Sequence, residues 1–244
     1  MLPGDWGDAS QDDIRAVAID VTKHLERELR RPVTSHIMVE SLPEDDEPIT
    51  FYREGGVGPY RVGLSIRGRY WAKVAYQFAH EYCHVLCGYE RLRENPNNWF
   101  HEALCELASV YALRQMARRW AFEPPYPNWA DYAQQLRGYA SDLEEKLTAP
   151  APPPGQFATW LDSNEDAMRR NAELRKNNGV VAMRLLASFD NQPGGWNAVR
   201  QMPDAHDPIR DYLRLWREGA EAEDRPFINR LERQMFGATS NRTR

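Results

Sequence analysis

Between residues 70 and 87 the chain carries a helix-period run that is apolar on most of its sides, with Trp71, Val74, Ala75, Phe78, Tyr82, Val85 and Leu86 spread around the helix. A helix of that kind belongs inside a protein, and Gly88 stands where a left-handed C-terminal cap would end it. A second mostly apolar run, 98–120, follows the polar loop E-R-L-R-E-N-P-N and stops at E-P-P-Y-P. Two successive buried helices define the centre of the molecule, and the remaining segments have to be arranged around them.

Those segments read as a small sheet followed by more helices. Ile14, Val17, Ala18, Val21, Leu25 and Leu29 mark one face of an N-terminal helix that Pro32 stops. Strands are expected at 35–40, 49–53 and 60–66, the first two separated by the acidic turn S-L-P-E-D-D-E-P. The turn E-G-G-V-G-P before the third strand lacks the Lys-Ser/Thr ending of a phosphate loop and receives no nucleotide role. A helix is expected at 129–147, and A-P-A-P-P-P-G is the clearest linker in the chain. Beyond it helical patterns fall at about 164–176, 179–189, 206–218 and 225–236, with a Pro-Gly-Gly break at 193–195. The expected class is α+β, with one domain over 1–149, a Pro-rich linker at 150–155 and a helical C-terminal subdomain over 156–244.

A chain of 244 residues can bury roughly 70–75% of its unfolded surface, so it needs neither disulfides nor a structural metal merely to fold. Its three cysteines, two of them one helical turn apart, do not form a disulfide framework. With no visible secretory leader and no apolar run near the roughly 20 residues of a bilayer span, the expected location is the cytoplasm, without a membrane partner. Balancing 31 basic against 36 acidic residues gives a net charge of −5, which removes the general electrostatic case for nucleic acid or an anionic membrane. The eight Trp and eleven Tyr lack the basic interleaving of a base-stacking platform.

The chemistry lies in the two buried helices. The first contains His80-Glu81-Tyr82-Cys83-His84, an H-E-x-x-H motif. Side chains at i and i+4 share a helix face, so both imidazoles can approach one zinc ion at about 2.0–2.1 Å, with Glu81 beside them to accept a proton from water. The bland alternative, two core histidines and an incidental glutamate, leaves buried polar groups that cost several kcal/mol if unpaired. Cys87 lies about 10 Å along the helix axis from His80, too far to share its ion. Cys83 points about 60° behind His80, away from His84, and reads as a packed thiol.

A catalytic zinc takes three protein ligands and keeps one position open. On the second helix, Glu102 and Glu106 share one face in apolar surroundings and need a compensating cation. Glu102 is the expected third ligand, and Glu106 the acceptor of a hydrogen bond from a ligand imidazole. His101 points about 100° away from Glu102 and is expected at the surface or packed against a loop.

H-E-x-x-H followed by a helix opening W-x-x-E resembles the zincin metallopeptidases, specifically the gluzincin branch, whose third ligand is a glutamate on the next helix. Glu102 matches that position, and Glu106 matches the acidic residue one turn later in thermolysin-like members. The metzincin branch is not matched, since Glu90 stands where its third histidine would be and Cys87 where its glycine would be. The resemblance covers about 45 residues, from Tyr60 to Glu106. It departs from N-E-x-x-S-D in having His101 for Asn, and it lacks the G-x-M-E-N segment of gluzincin aminopeptidases. It implies a zincin-like domain, a Zn²⁺ cofactor, a peptide or protein substrate, and metal-assisted hydrolysis with Glu81 as general base. It further implies that the 60–66 strand is the edge along which an extended substrate aligns. Tyr111 and His206 are the candidates for stabilising the oxyanion. The alternative from another class is a non-catalytic zincin-like scaffold whose helical region binds a partner, a role in which a buried base at Glu81 has no use.

Overall fold

The computed structural model describes residues 4–53, 56–92 and 94–237; Glu54 and Gly55 of the glycine-rich turn lie outside them. The fold is α+β, a three-stranded sheet against a mainly helical body. Helix α1 (Gln11–Glu26) begins at a capping box, in which the Ser10 hydroxyl accepts from the Asp13 amide and the Asp13 carboxylate accepts from the Ser10 amide. Strands β1 (Ile37–Ser41), β2 (Ile49–Phe51) and β3 (Tyr60–Leu64) follow. Their order is β1-β3-β2, with β1 parallel and β2 antiparallel to β3.

This order corrects the expectation that the 60–66 strand is an edge. β3 is central, with Val62, Gly63 and Leu64 buried, and β2 takes the edge. The hydrophobic run leading into the next helix is the part of the sheet most deeply covered, whereas Ile49 of β2 remains 45% exposed.

Helix α2 (Trp71–Cys87) and helix α3 (Asn98–Trp120) run antiparallel through the centre, as their apolar patterns require. Gly88 ends α2 at φ +69°, and its amide reaches the carbonyls of His84 and Val85; a side chain there would be strained. After α2 the chain is pinned by Arg53, whose guanidinium holds Glu90 at 2.6 Å, and by Tyr89, whose hydroxyl donates to the Phe51 carbonyl. Glu90 is thereby committed to an ion pair that lowers its pKa through the Arg53 hydrogen bonds.

Helices α4 (Ala133–Thr148), α5 (Phe157–Arg170), α6 (Arg175–Asn191), α7 (Trp196–Val199), α8 (Ile209–Gly219) and α9 (Arg225–Phe236) complete the body. Residues 150–155 connect α4 to α5, and one apolar cluster continues across that connection, since α6 packs on both α3 and α4. Gly195 is a close-approach position: a Cβ there would lie 2.2 Å from the Phe227 ring. Asn97, just before α3, donates to the carbonyls of Ala205 and Asp207 and accepts from Arg169 of α5, tying the C-terminal helices to the head of α3. No helix among the described residues is long and apolar enough to cross a membrane.

Candidate metal centre

A cleft of about 460 Å³ opens between the β2 side of the sheet and the start of α6, floored by α2 and α3. His80 and His84 project into it from successive turns of α2, as the i, i+4 spacing requires. Facing them from α3, Glu102 divides its carboxylate between the two: Oε2 lies 3.2 Å from His80 Nε2, and Oε1 3.5 Å from His84 Nε2. The three side chains keep 18–29% of their surface, so the group faces the cleft rather than closing on itself.

The electrostatics follow from this arrangement. Burial opposes charge on His80, but the hydrogen bond to Glu102 and the charges of Glu81, Glu102 and Glu106 prevail and raise its pKa to about 9. Burial likewise opposes charge on Glu102, and its hydrogen bond with His80 and the neighbouring histidines bring it down to about 2. Each group is held ionised by the other. A cation gains the His80 Nε2 lone pair only by displacing the proton that Glu102 holds there, and it meets the two rings on separate oxygens of the carboxylate.

Glu81 lies beside this group, 4% exposed and lining the same cleft. The Thr50 hydroxyl on β2 lies 2.9 Å from both its Oε2 and its backbone carbonyl, fixing the carboxylate to the edge strand. Glu106 also lines the cleft, but the bond it makes differs from the one expected: both of its oxygens receive the Tyr76 hydroxyl, at 2.9 and 3.0 Å, one turn before His80. The partner of a motif imidazole is instead Cys105, whose sulfur lies 3.4 Å from His84 Nδ1.

His101 is a second difference. It is 4% exposed and lines the cleft, with Nδ1 3.1 Å from Asn98 Oδ1 and Nε2 2.9 Å from the Tyr212 hydroxyl. Burial lowers its pKa to about 4, so it is neutral at pH 7. Its direction away from Glu102 agrees with the helical angle; what covers that direction is α8, more than a hundred residues later. Tyr111 is buried with its ring against Trp196, 5.6 Å between centroids, and His206 is an exposed residue pairing with Asp204 at 3.5 Å. Neither lines the cleft.

Thr50, Tyr76 and Cys105 are the contributors that sequence reasoning missed. Tyr76 stands at i−4 from His80 and so shares its face, a signal present in the sequence. Thr50 and Cys105 act across elements and leave no local signature. Compared with protein-family models, curated proteins and solved structures, the chain matches none of them.

Proposed function

We propose that this chain is a zinc-dependent peptidase of the gluzincin type, in which His80, His84 and Glu102 hold the metal and Glu81 is the general base. The observation that carries the reading is the shared carboxylate, with one Glu102 oxygen against each of the two imidazole Nε2 atoms. The 3.2 and 3.5 Å separations run to different oxygens of Glu102, so an ion held at about 2.0–2.1 Å by all three side chains draws the two rings toward one carboxylate. Two imidazoles and one carboxylate are also a donor set that zinc accepts while keeping a position open.

Cys105 comes within 4.8 Å of donor atoms of His80 and His84 and is the rival third ligand. Its contact is with Nδ1 of His84, whereas Glu102 faces the Nε2 atoms of both rings; Cys105 is also fully buried, away from the open cleft. Glu102 is therefore the better ligand, and Cys105 orients the ring from behind.

Bound zinc supplies a Lewis acid that polarises a peptide carbonyl and makes water a stronger acid. Glu81 accepts the proton of the attacking water on its carboxylate and delivers it to the departing amine nitrogen. Thr50 keeps that carboxylate beside β2, so the base and the edge strand hold a fixed relation. The edge strand beside the base suits an extended peptide, which can pair its backbone with the start of β2 while side chains enter the cleft.

The test is Glu81→Gln, measured for metal by elemental mass spectrometry and for hydrolysis against a mixed peptide library. Wild type is expected to carry one zinc per chain and to cleave; the variant is expected to keep the zinc and lose about 100- to 10,000-fold in rate. A metal-free wild type that takes up no added zinc, or a variant that cleaves as well as wild type, refutes the proposal.

A further inference from the structure

Directly behind His84 lies a second group of donors, of which the hydrolytic reading uses only Cys105, as the partner of the His84 ring. Cys83 and Cys87 occupy successive turns of α2, and Cys105 meets them from α3. All three are free thiols with no exposed surface, and their sulfurs lie within 4.8 Å of one another, Cys83 to Cys87 at 3.9 Å. The sequence alone treats Cys83 and Cys87 as a pair on one helix; the crossing of α2 and α3 turns them into a triangle.

We propose that Cys83, Cys87 and Cys105 form a three-coordinate site for a thiophilic monovalent metal ion, Cu(I). Metal–sulfur bonds of about 2.3 Å set at trigonal angles place sulfurs about 4.0 Å apart, close to the 3.9 Å edge seen here. An all-sulfur set selects a soft ion. The surroundings limit the coordination number: the neighbouring His101 has both ring nitrogens engaged, by Asn98 and Tyr212. His84 presents Nδ1 to Cys105 while its Nε2 faces Glu102. Zinc, which takes four ligands in a structural site, is poorly served by three sulfurs alone. Cys87 borders the cleft, which gives an ion a route to an otherwise enclosed set. As each sulfur binds it releases its thiol proton to solvent.

The two sites share the α2–α3 contact and meet at Cys105, whose sulfur contacts His84 Nδ1; the His80→Ala variant and the copper-edge spectrum separate this inference from the peptidase reading. The experiment uses the full chain, reduced and anaerobic, titrated with Cu(I) in the presence of bicinchoninate as competing chelator. It compares wild type with His80→Ala, Cys87→Ser and Cys105→Ser, and X-ray absorption at the copper edge is recorded on wild type. One Cu(I) per chain is expected to be withdrawn from the chelator by wild type and by His80→Ala alike, with three sulfurs at about 2.3 Å. Each serine variant is expected to lose more than the roughly 10- to 100-fold that removal of an outer-sphere partner costs a metal site. No withdrawal by wild type, nitrogen or oxygen donors at the copper edge, or binding lost in His80→Ala and kept in the serine variants would overturn it. The edge spectrum needs no variant, so a misfolded mutant does not shelter the proposal.

Discussion

The two ends of the α2–α3 pair solve the burial of a carboxylate in opposite ways. At the end remote from the cleft, Trp71, Trp129 and Trp120 stack at 4.7 and 5.4 Å, and Asp20 of α1 receives the Trp120 indole N–H at 2.7 Å. There, burial would raise the Asp20 pKa, but the nearby His24, 3.6 Å away, and the Trp120 hydrogen bond lower it. That carboxylate is satisfied by protein donors inside a dense aromatic floor. At the other end Glu102 faces two imidazoles, and all three stand at an open cleft. One end meets its carboxylate with an indole N–H in the protein interior, whereas the other turns its carboxylate and imidazoles to an open cleft.

If that contrast is right, substitutions at the floor alter stability and substitutions at the cleft alter metal content. Trp120→Ala is expected to cost about 3–5 kcal/mol of unfolding free energy in urea titrations, with residual folded protein still binding zinc. Asp20→Ala is expected to cost about 1–3 kcal/mol, because the indole N–H loses its buried acceptor. Its pH dependence sharpens the point. The folded pKa of Asp20 lies below the ordinary value, so its contribution is present above about pH 3.9 and is lost as pH falls through the lower folded pKa. The acid limb of the wild-type stability curve should therefore be shallower in Asp20→Asn.

At the cleft, Glu102→Ala is expected to change unfolding free energy of the metal-free chain by only about 0.5–1.5 kcal/mol, while zinc per chain falls toward zero. Full zinc occupancy in that variant, read by elemental mass spectrometry, would move the third ligand to Cys105. The smallest effect belongs to the mouth of the cleft, where Arg175 meets Glu47 at 2.8 Å with both side chains largely in water. Arg175→Ala should shift stability by less than about 1 kcal/mol, and less still in high salt.

Much of this was legible in the residues. Helix α3 lies where its pattern put it, Asn98–Trp120, because an unbroken apolar run is bounded by N-P-N and P-P. The H-E-x-x-H pair and Glu102 come together because their placement depends only on helical angles and one short loop. Legibility fails where distance along the chain grows. α5 begins at Phe157, earlier than expected, since Phe157, Leu161 and Met168 carry its buried face through an otherwise polar stretch. The edge position of β2 depends on pairing order, which no strand's own residues encode. His101 meets Tyr212, which arrives from α8, and Glu106 takes Tyr76, whose hydroxyl reaches both of its oxygens.

The Thr50 hydroxyl touches both the side chain and the backbone of Glu81 while belonging to the strand that borders the cleft. Strand and base therefore form a mechanical linkage of one joint. Under the proposed peptidase reading, a peptide laid against β2 would press on the joint that aims the carboxylate. In that reading the aim of the carboxylate would rest on one hydroxyl, at a residue that performs no chemistry of its own.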